Sequence, residues 1–151
     1  MHSLVRLYIK TAIAFLVVGL LLGGYFLARR ELFGRAATSY EISAHTHVIL
    51  VGFVMTMILG VALWLFPRPS KDDVRYRPGL ALAAYWLLTT GTAVRTASEL
   101  ARSHGAGAWV AWLVVASGAA QILALFVFFY TMWSRIRGIG SQVREGRGER
   151  F

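Results

Sequence analysis

Cysteine is absent from this chain, and only 15% of its 151 residues are charged. Without cysteine there is no disulfide, no thiolate metal ligand and no thioether attachment for a covalent cofactor. Acidic side chains number only seven, against sixteen lysines and arginines, and there are four histidines. The three prolines, Pro67, Pro69 and Pro78, all fall in one short stretch. Helix-breaking residues therefore punctuate the chain at one place and leave the rest free to run in long helices.

What fills the chain instead is apolar: 57% of residues are hydrophobic. Four segments approach the length needed to cross a hydrocarbon layer about 30 Å thick. They are Thr11–Leu27, Val48–Phe66, Leu80–Val94 and Ala108–Trp133. The third is short as a purely apolar run and continues into the polar end that contains Arg95. The expected fold is all-α, an integral membrane four-helix up-and-down bundle over residues 1–137. Its spans are expected at about 8–29, 44–66, 79–100 and 106–134, followed by a basic tail over 138–151. The start, Met1-His-Ser-Leu-Val-Arg, has no small-residue cleavage site after it, so the first span is expected to be retained. No internal repeat and no second domain are visible.

The net charge of +9 is accounted for by topology rather than by nucleic acid. Arg6, Lys10, Arg68, Lys71, Arg75, Arg77, Arg135, Arg137, Arg144, Arg147 and Arg150 fall on one side of the expected bundle. Arg29, Arg30, Arg35, Arg95 and Arg102 fall on the other. The excess of positive charge on cytoplasmic loops places both termini in the cytoplasm and the protein in the cytoplasmic (inner) membrane. Basic residues beside lipid headgroups need no further partner. Tyr40, Trp109 and Trp112 read as interfacial aromatics, and Met55 and Met57 as packing residues. Gly19-x-x-x-Gly23 with Gly24 forms a small-residue face for close helix contact.

The chemistry gathers at Ala44-His45-Thr46-His47, at the outer end of the second span. At about 100° per residue, positions i and i+2 point to nearly opposite sides of a helix. One metal ion is a poor fit for both imidazoles; two separate partners, one on each face, are a good one. On a straight helix Ile49, Gly52 and Thr56 follow His45, so Gly52 would leave room for a flat ligand. Val51, Val54 and Ile58 follow His47 as an apolar wall. A tetrahedral zinc site is a weaker alternative, needing His45 or His47, His104 and a carboxylate such as Glu41 or Glu99. Glu31, Glu41 and Glu99 are expected at the outer edge, leaving no buried acid or lysine in the helix interiors.

The run Ala-His-x-His-x-x-Leu-x-Gly, Ala44–Gly52, continuing to Gly60 and Trp64-x-Phe66-Pro67, resembles the tenth helix of subunit I of the heme-copper oxidase superfamily. His45-Thr46 is also similar to the second helix of that family, above all in its cbb3-type and nitric-oxide-reductase branches. The resemblance rests on Ala44–Pro67; elsewhere only topology matches. It implies a non-covalent haem b held by axial histidines, His45 and His47, with Gly52 beside it. In the family, twelve helices form three four-helix arcs about a pseudo-threefold axis, so one such arc implies a homotrimer. A haem would then lie between His45 of one protomer and His47 of the next.

Arg95 and Arg102 are the candidate partners of the haem propionates, and His104 is a possible alternative iron ligand. The four histidines do not supply the copper ligands of the family's oxygen-reducing centre, so no copper is expected. With two imidazoles on the iron no coordination position stays open, which implies electron transfer with a respiratory-chain redox partner. The alternatives are a gas- or nitric-oxide-binding haem protein with one open position, and a cofactor-free accessory or assembly subunit of a respiratory enzyme.

Overall fold

The computed structural model describes residues 3–67, 73–75, 77–136, 143 and 147–148. The expected basic tail over 138–151 therefore lies, apart from three residues, outside the described part. Among the described residues the chain is all helix, with no strand. Helix α1 is Ser3–Phe33, α2 is Ser39–Leu65, α3 is Pro78–Ser103 and α4 is Val110–Arg135, whose last turn narrows to 3-10 geometry.

Local chemistry sets the helix ends. Gly34, at a φ of 64°, stops α1; its N–H bonds back to the Arg30 carbonyl. Helix α2 begins with a capping box, in which Thr38 Oγ1 accepts from the Glu41 N–H and the Glu41 carboxylate accepts from the Thr38 N–H. That box starts the helix at Ser39, five residues before the apolar run at Ala44. Pro67 follows the end of α2, and Pro78 opens α3 at a position where its missing N–H costs nothing. Helix α3 closes in a Schellman turn: Gly105 has a φ of 86°, its N–H reaches Arg102 O, and the Ala106 N–H reaches Ala101 O.

Each helix packs chiefly on the next in sequence, α1 on α2, α2 on α3 and α3 on α4, and neighbours run antiparallel. At the end of the bundle where α1 begins and α2 stops, Val5, Tyr8, Leu59, Leu63, Tyr85, Leu88, Phe128 and Met132 draw all four helices into one core. Tyr8 anchors it: its ring meets Tyr85 and Phe128 edge-on, and its hydroxyl donates to the Ala81 carbonyl at 3.0 Å. Arg135 is buried beside it and donates to the carbonyls of Leu63, Phe66 and Pro67. The last carbonyls of a helix have no partner within it. Arg135 thus caps α2 from the end of α4, where sequence alone places it among the headgroup-facing cations.

Three helices, α1, α2 and α4, are long and apolar enough to cross a membrane. The expectation of four such spans holds for length but not for hydropathy, because α3 carries Thr89, Thr92, Arg95, Thr96, Ser98 and Glu99. The structure turns most of these inward. Thr89 and Thr92 bond to carbonyls four residues back, and Gln121 of α4 donates to Thr92 Oγ1 at 3.0 Å. Outward from α1, α2 and α4 point Val17, Leu20, Leu21, Leu50, Ile58, Ile122 and Phe126, all well exposed. Apolar surface on that scale fits lipid rather than water.

The small face of α1 is used inside the chain. A Cβ at Gly19 would stand 2.3 Å from Ile49 Cδ1, and one at Gly23 would stand 2.9 Å from His45 Cε1. Gly19 and Gly23 therefore seat α2 on α1. Glycines on α2 answer them, with Gly52 against Phe15 and Gly60 against Tyr8 and Ile9.

Helix α2 is not uniform. From Val48 to Met55 it widens to a π-helix, beginning immediately after His47. The wide turn is visible at Thr56, whose N–H reaches the Val51 carbonyl and whose Oγ1 donates to the same oxygen at 3.0 Å. Such segments are rare and recur at functional sites.

Candidate functional site

The end of the molecule where α2 begins is fixed by two arginine–glutamate pairs. Arg29 of α1 grips Glu41 of α2 with two bonds, Nη1 to Oε1 at 2.7 Å and Nη2 to Oε2 at 2.6 Å. Its guanidinium lies between the rings of Tyr25 and Phe26, 5.5 Å from each centroid. A bidentate fork of this kind fixes direction as well as distance. It holds the start of α2, and with it the two histidines, at a set height on α1.

His45 and His47 leave the helix toward different neighbours. His45 faces α1, its ring edge-on to Phe26 at 6.4 Å between centroids. It lines a cavity of about 390 Å³ with Gly23, Phe26, Leu27, Arg30, Ala36, Ala37 and Ile42. Neither ring nitrogen of His45 forms a hydrogen bond among the described residues, although Nδ1 is buried. A buried polar atom without a partner costs roughly 1–3 kcal/mol and calls for an explanation.

His47 faces α3 and is held there. Its Nδ1 lies 2.8 Å from the Ser43 carbonyl, one turn back, which makes Nδ1 the protonated nitrogen. Ser43 Oγ donates to Glu99 Oε1 at 2.8 Å, and Glu99 Oε2 lies 3.9 Å from His47 Nδ1. Nε2 of His47 takes no hydrogen bond among the described residues. An imidazole tied through one nitrogen, with the other free, is the arrangement that metal-ligating histidines show.

The acids differ from the sequence reading, which leaves none buried. Glu41 and Glu99 are each only 2% exposed. The reason is pairing: Arg29 neutralises one, and Arg95 Nε meets Glu99 Oε1 at 3.2 Å. Gly118 of α4 makes room for the Arg95 guanidinium, since a Cβ there would stand 2.8 Å from Nη1.

The other expected site residues are spread out. Arg95 is engaged by Glu99, and Arg102 donates to the Tyr40 hydroxyl at 3.1 Å while lying over its ring. His104 is exposed at the end of α3, its Nδ1 2.8 Å from the Leu100 carbonyl. The notch at Gly52 is filled by Phe15, so no open wall lies below His45. Nor does the straight-helix register survive the π-helix: Val51 packs toward the core, while Val54 and Ile58 are exposed. Among the described residues no three histidines or carboxylates are placed to share a metal ion, which leaves the zinc alternative without a site.

Sequence reasoning missed Arg30, Ser43 and the buried state of Glu99. Two signals were available: Ser43 to His47 and Arg95 to Glu99 are both i, i+4 pairs on helices.

A family model matches residues 8–136, nearly the whole helical body. The chain belongs to the family described as a domain of unknown function (DUF8744). In this member of the DUF8744 family the matched span contains both histidines, both buried glutamates and Arg135. No curated protein matches the chain, and no solved structure does.

Proposed function

We propose that this protein is a multi-pass membrane haem b protein that transfers electrons. Its haem would be bound non-covalently by His45 and His47 at contacts between protomers. The observation that carries this reading is the pair of imidazoles two residues apart. They face opposite neighbours, and neither commits Nε2 to a partner among the described residues.

The residues present suit the group. His47 is oriented through Ser43. His45 stands on the wall of a largely apolar cavity, its buried Nδ1 unpaired and its ring seated in the space Gly23 leaves. Arg30 lines the same cavity, with its Nε on the exposed Glu31 carboxylate at 2.7 Å; it is a better propionate partner than Arg95 or Arg102, neither of which lines that cavity. When bound, the haem would supply a reversible one-electron couple at the iron. The chain's part is to hold the two ligands, exclude water with Phe26, Leu27 and Ile42, and balance the propionate charge.

Two ligands on opposite faces of one short segment cannot reach one iron from a single chain, so ligation is shared between copies. A cyclic homotrimer with head-to-tail interfaces closes that arrangement. In this reading α3 is the fourth span, sheltered by its neighbours. Both termini lie in the cytoplasm and the haems lie toward the outer leaflet of the cytoplasmic membrane.

Single substitutions test the ligation. His45→Ala and His47→Ala should each abolish a six-coordinate haem spectrum while membrane insertion is kept. Normal six-coordinate haem in both variants would overturn the assignment. Rapid carbon monoxide binding by the unaltered protein would move it to the gas-binding class.

A further inference from the structure

Below His47 the structure sinks a carboxylate where sequence gives no reason for one. Glu99 is 2% exposed, and its Oε1 is shared by Ser43 Oγ and Arg95 Nε. Its Oε2 is buried without a hydrogen-bond partner among the described residues, on the side where His47 Nδ1 stands 3.9 Å away. An ion pair that only tied α3 together would sit in the headgroup layer and use both oxygens. Here one oxygen is spent on α2 through Ser43, and the other is left facing the imidazole.

We propose that Glu99 is a positioning residue for His47: with Ser43 it fixes the protonated nitrogen and ring orientation, and its charge sets the redox potential of the iron that His47 holds. This deepens the haem reading and rests on it. The physical argument has two parts. The backbone carbonyl of Ser43 accepts from His47 Nδ1 at 2.8 Å, and Ser43 Oγ, held by Glu99 Oε1, stands 3.4 Å from the same nitrogen, so the carboxylate fixes the serine rotamer that flanks the imidazole. A negative charge in a low-dielectric interior also favours the ferric state, which carries one more positive charge than the ferrous. Arg95 opposes that effect, so the pair sets the potential between two limits. On α4, Gly118 faces the Arg95 guanidinium of this pair.

The test is a redox titration of the purified holoprotein with electron paramagnetic resonance of the ferric haem. Glu99→Gln keeps the size and one acceptor oxygen for Ser43 but removes the charge. It should raise the midpoint potential and change the ferric g-values, with haem content retained. Arg95→Gln should shift the potential the other way, and it serves if the glutamine variant does not fold. A coloured wild-type protein whose potential and g-values stay unchanged in both variants overturns the role of Glu99 alone. A colourless wild-type protein removes the haem reading and this inference with it.

Discussion

Gly23 and His45 fit each other as socket and plug: a β-carbon on Gly23 would lie 2.9 Å from Cε1 of the imidazole. The same glycine thus lets α2 approach α1 and leaves the ring its place on the cavity wall. Helix packing and ligand geometry are set by one missing methyl group.

Gly23→Val should therefore displace His45 and lower the haem bound per chain, with helix content by circular dichroism unchanged. Gly24→Val is the matched control, because nothing lies within 4 Å of a Cβ there. Equal haem content in the two variants would separate Gly23 from the site.

Removing the guanidinium at Arg30 should cost haem, and removing it at Arg102 should not. Arg30 lines the His45 cavity beside its surface pair with Glu31, whereas Arg102 lies outside that cavity, over Tyr40. Haem retained after dilution and gel filtration distinguishes Arg30→Ala from Arg102→Ala. A larger loss in the Arg102 variant would return the propionates to the end of α3.

Arg135→Met keeps the bulk of a buried side chain but leaves the carbonyls of Leu63, Phe66 and Pro67 uncapped. Hydrogen bonds from a charged donor contribute roughly 1.5–3 kcal/mol each, so the loss should be a few kcal/mol. A lower thermal midpoint in detergent, with an unaltered haem spectrum in the folded protein, is the expected result. An unchanged midpoint would show that the cap contributes nothing.

At Gly52, alanine would place its methyl 2.7 Å from Cγ of Phe15, at the base of the ring, where it cannot easily swing away. Overpacking of this kind costs about 1–3 kcal/mol. Gly52→Ala should lower the thermal midpoint and leave haem content intact. Loss of haem without loss of stability would instead restore Gly52 to the cofactor's surroundings.

Much of the frame was legible in the residues. Apolar run lengths and prolines confined to 67–78 were enough to draw four antiparallel helices. Thr38-x-x-Glu41 is a readable capping box, and it moves the start of α2 back to Ser39. The π-helix was not legible, because its extra turn width goes with the packing of Gly52 on Phe15 of α1 and the bonds from Thr56 to the Val51 carbonyl. A straight-helix projection consequently put Gly52 on an open face and joined Val51 to Val54 in one wall. The burial of Glu41 and Glu99 was hidden for a different reason. Charge counts treat a carboxylate as solvent-facing, and only the approach of Arg29 and Arg95 allows it inside.

The i, i+2 spacing of the histidines fared better, since it depends only on local geometry. His45 turns to α1 and His47 to α3.

The most direct measurement is a reduced-minus-oxidised optical spectrum of detergent-purified protein, with haem and subunit stoichiometry taken from the same sample. Sharp b-type α-band absorption at one haem per chain, in a trimer, is the predicted result. A colourless protein, at any oligomeric state, would contradict the account and leave the two histidines without an iron to hold.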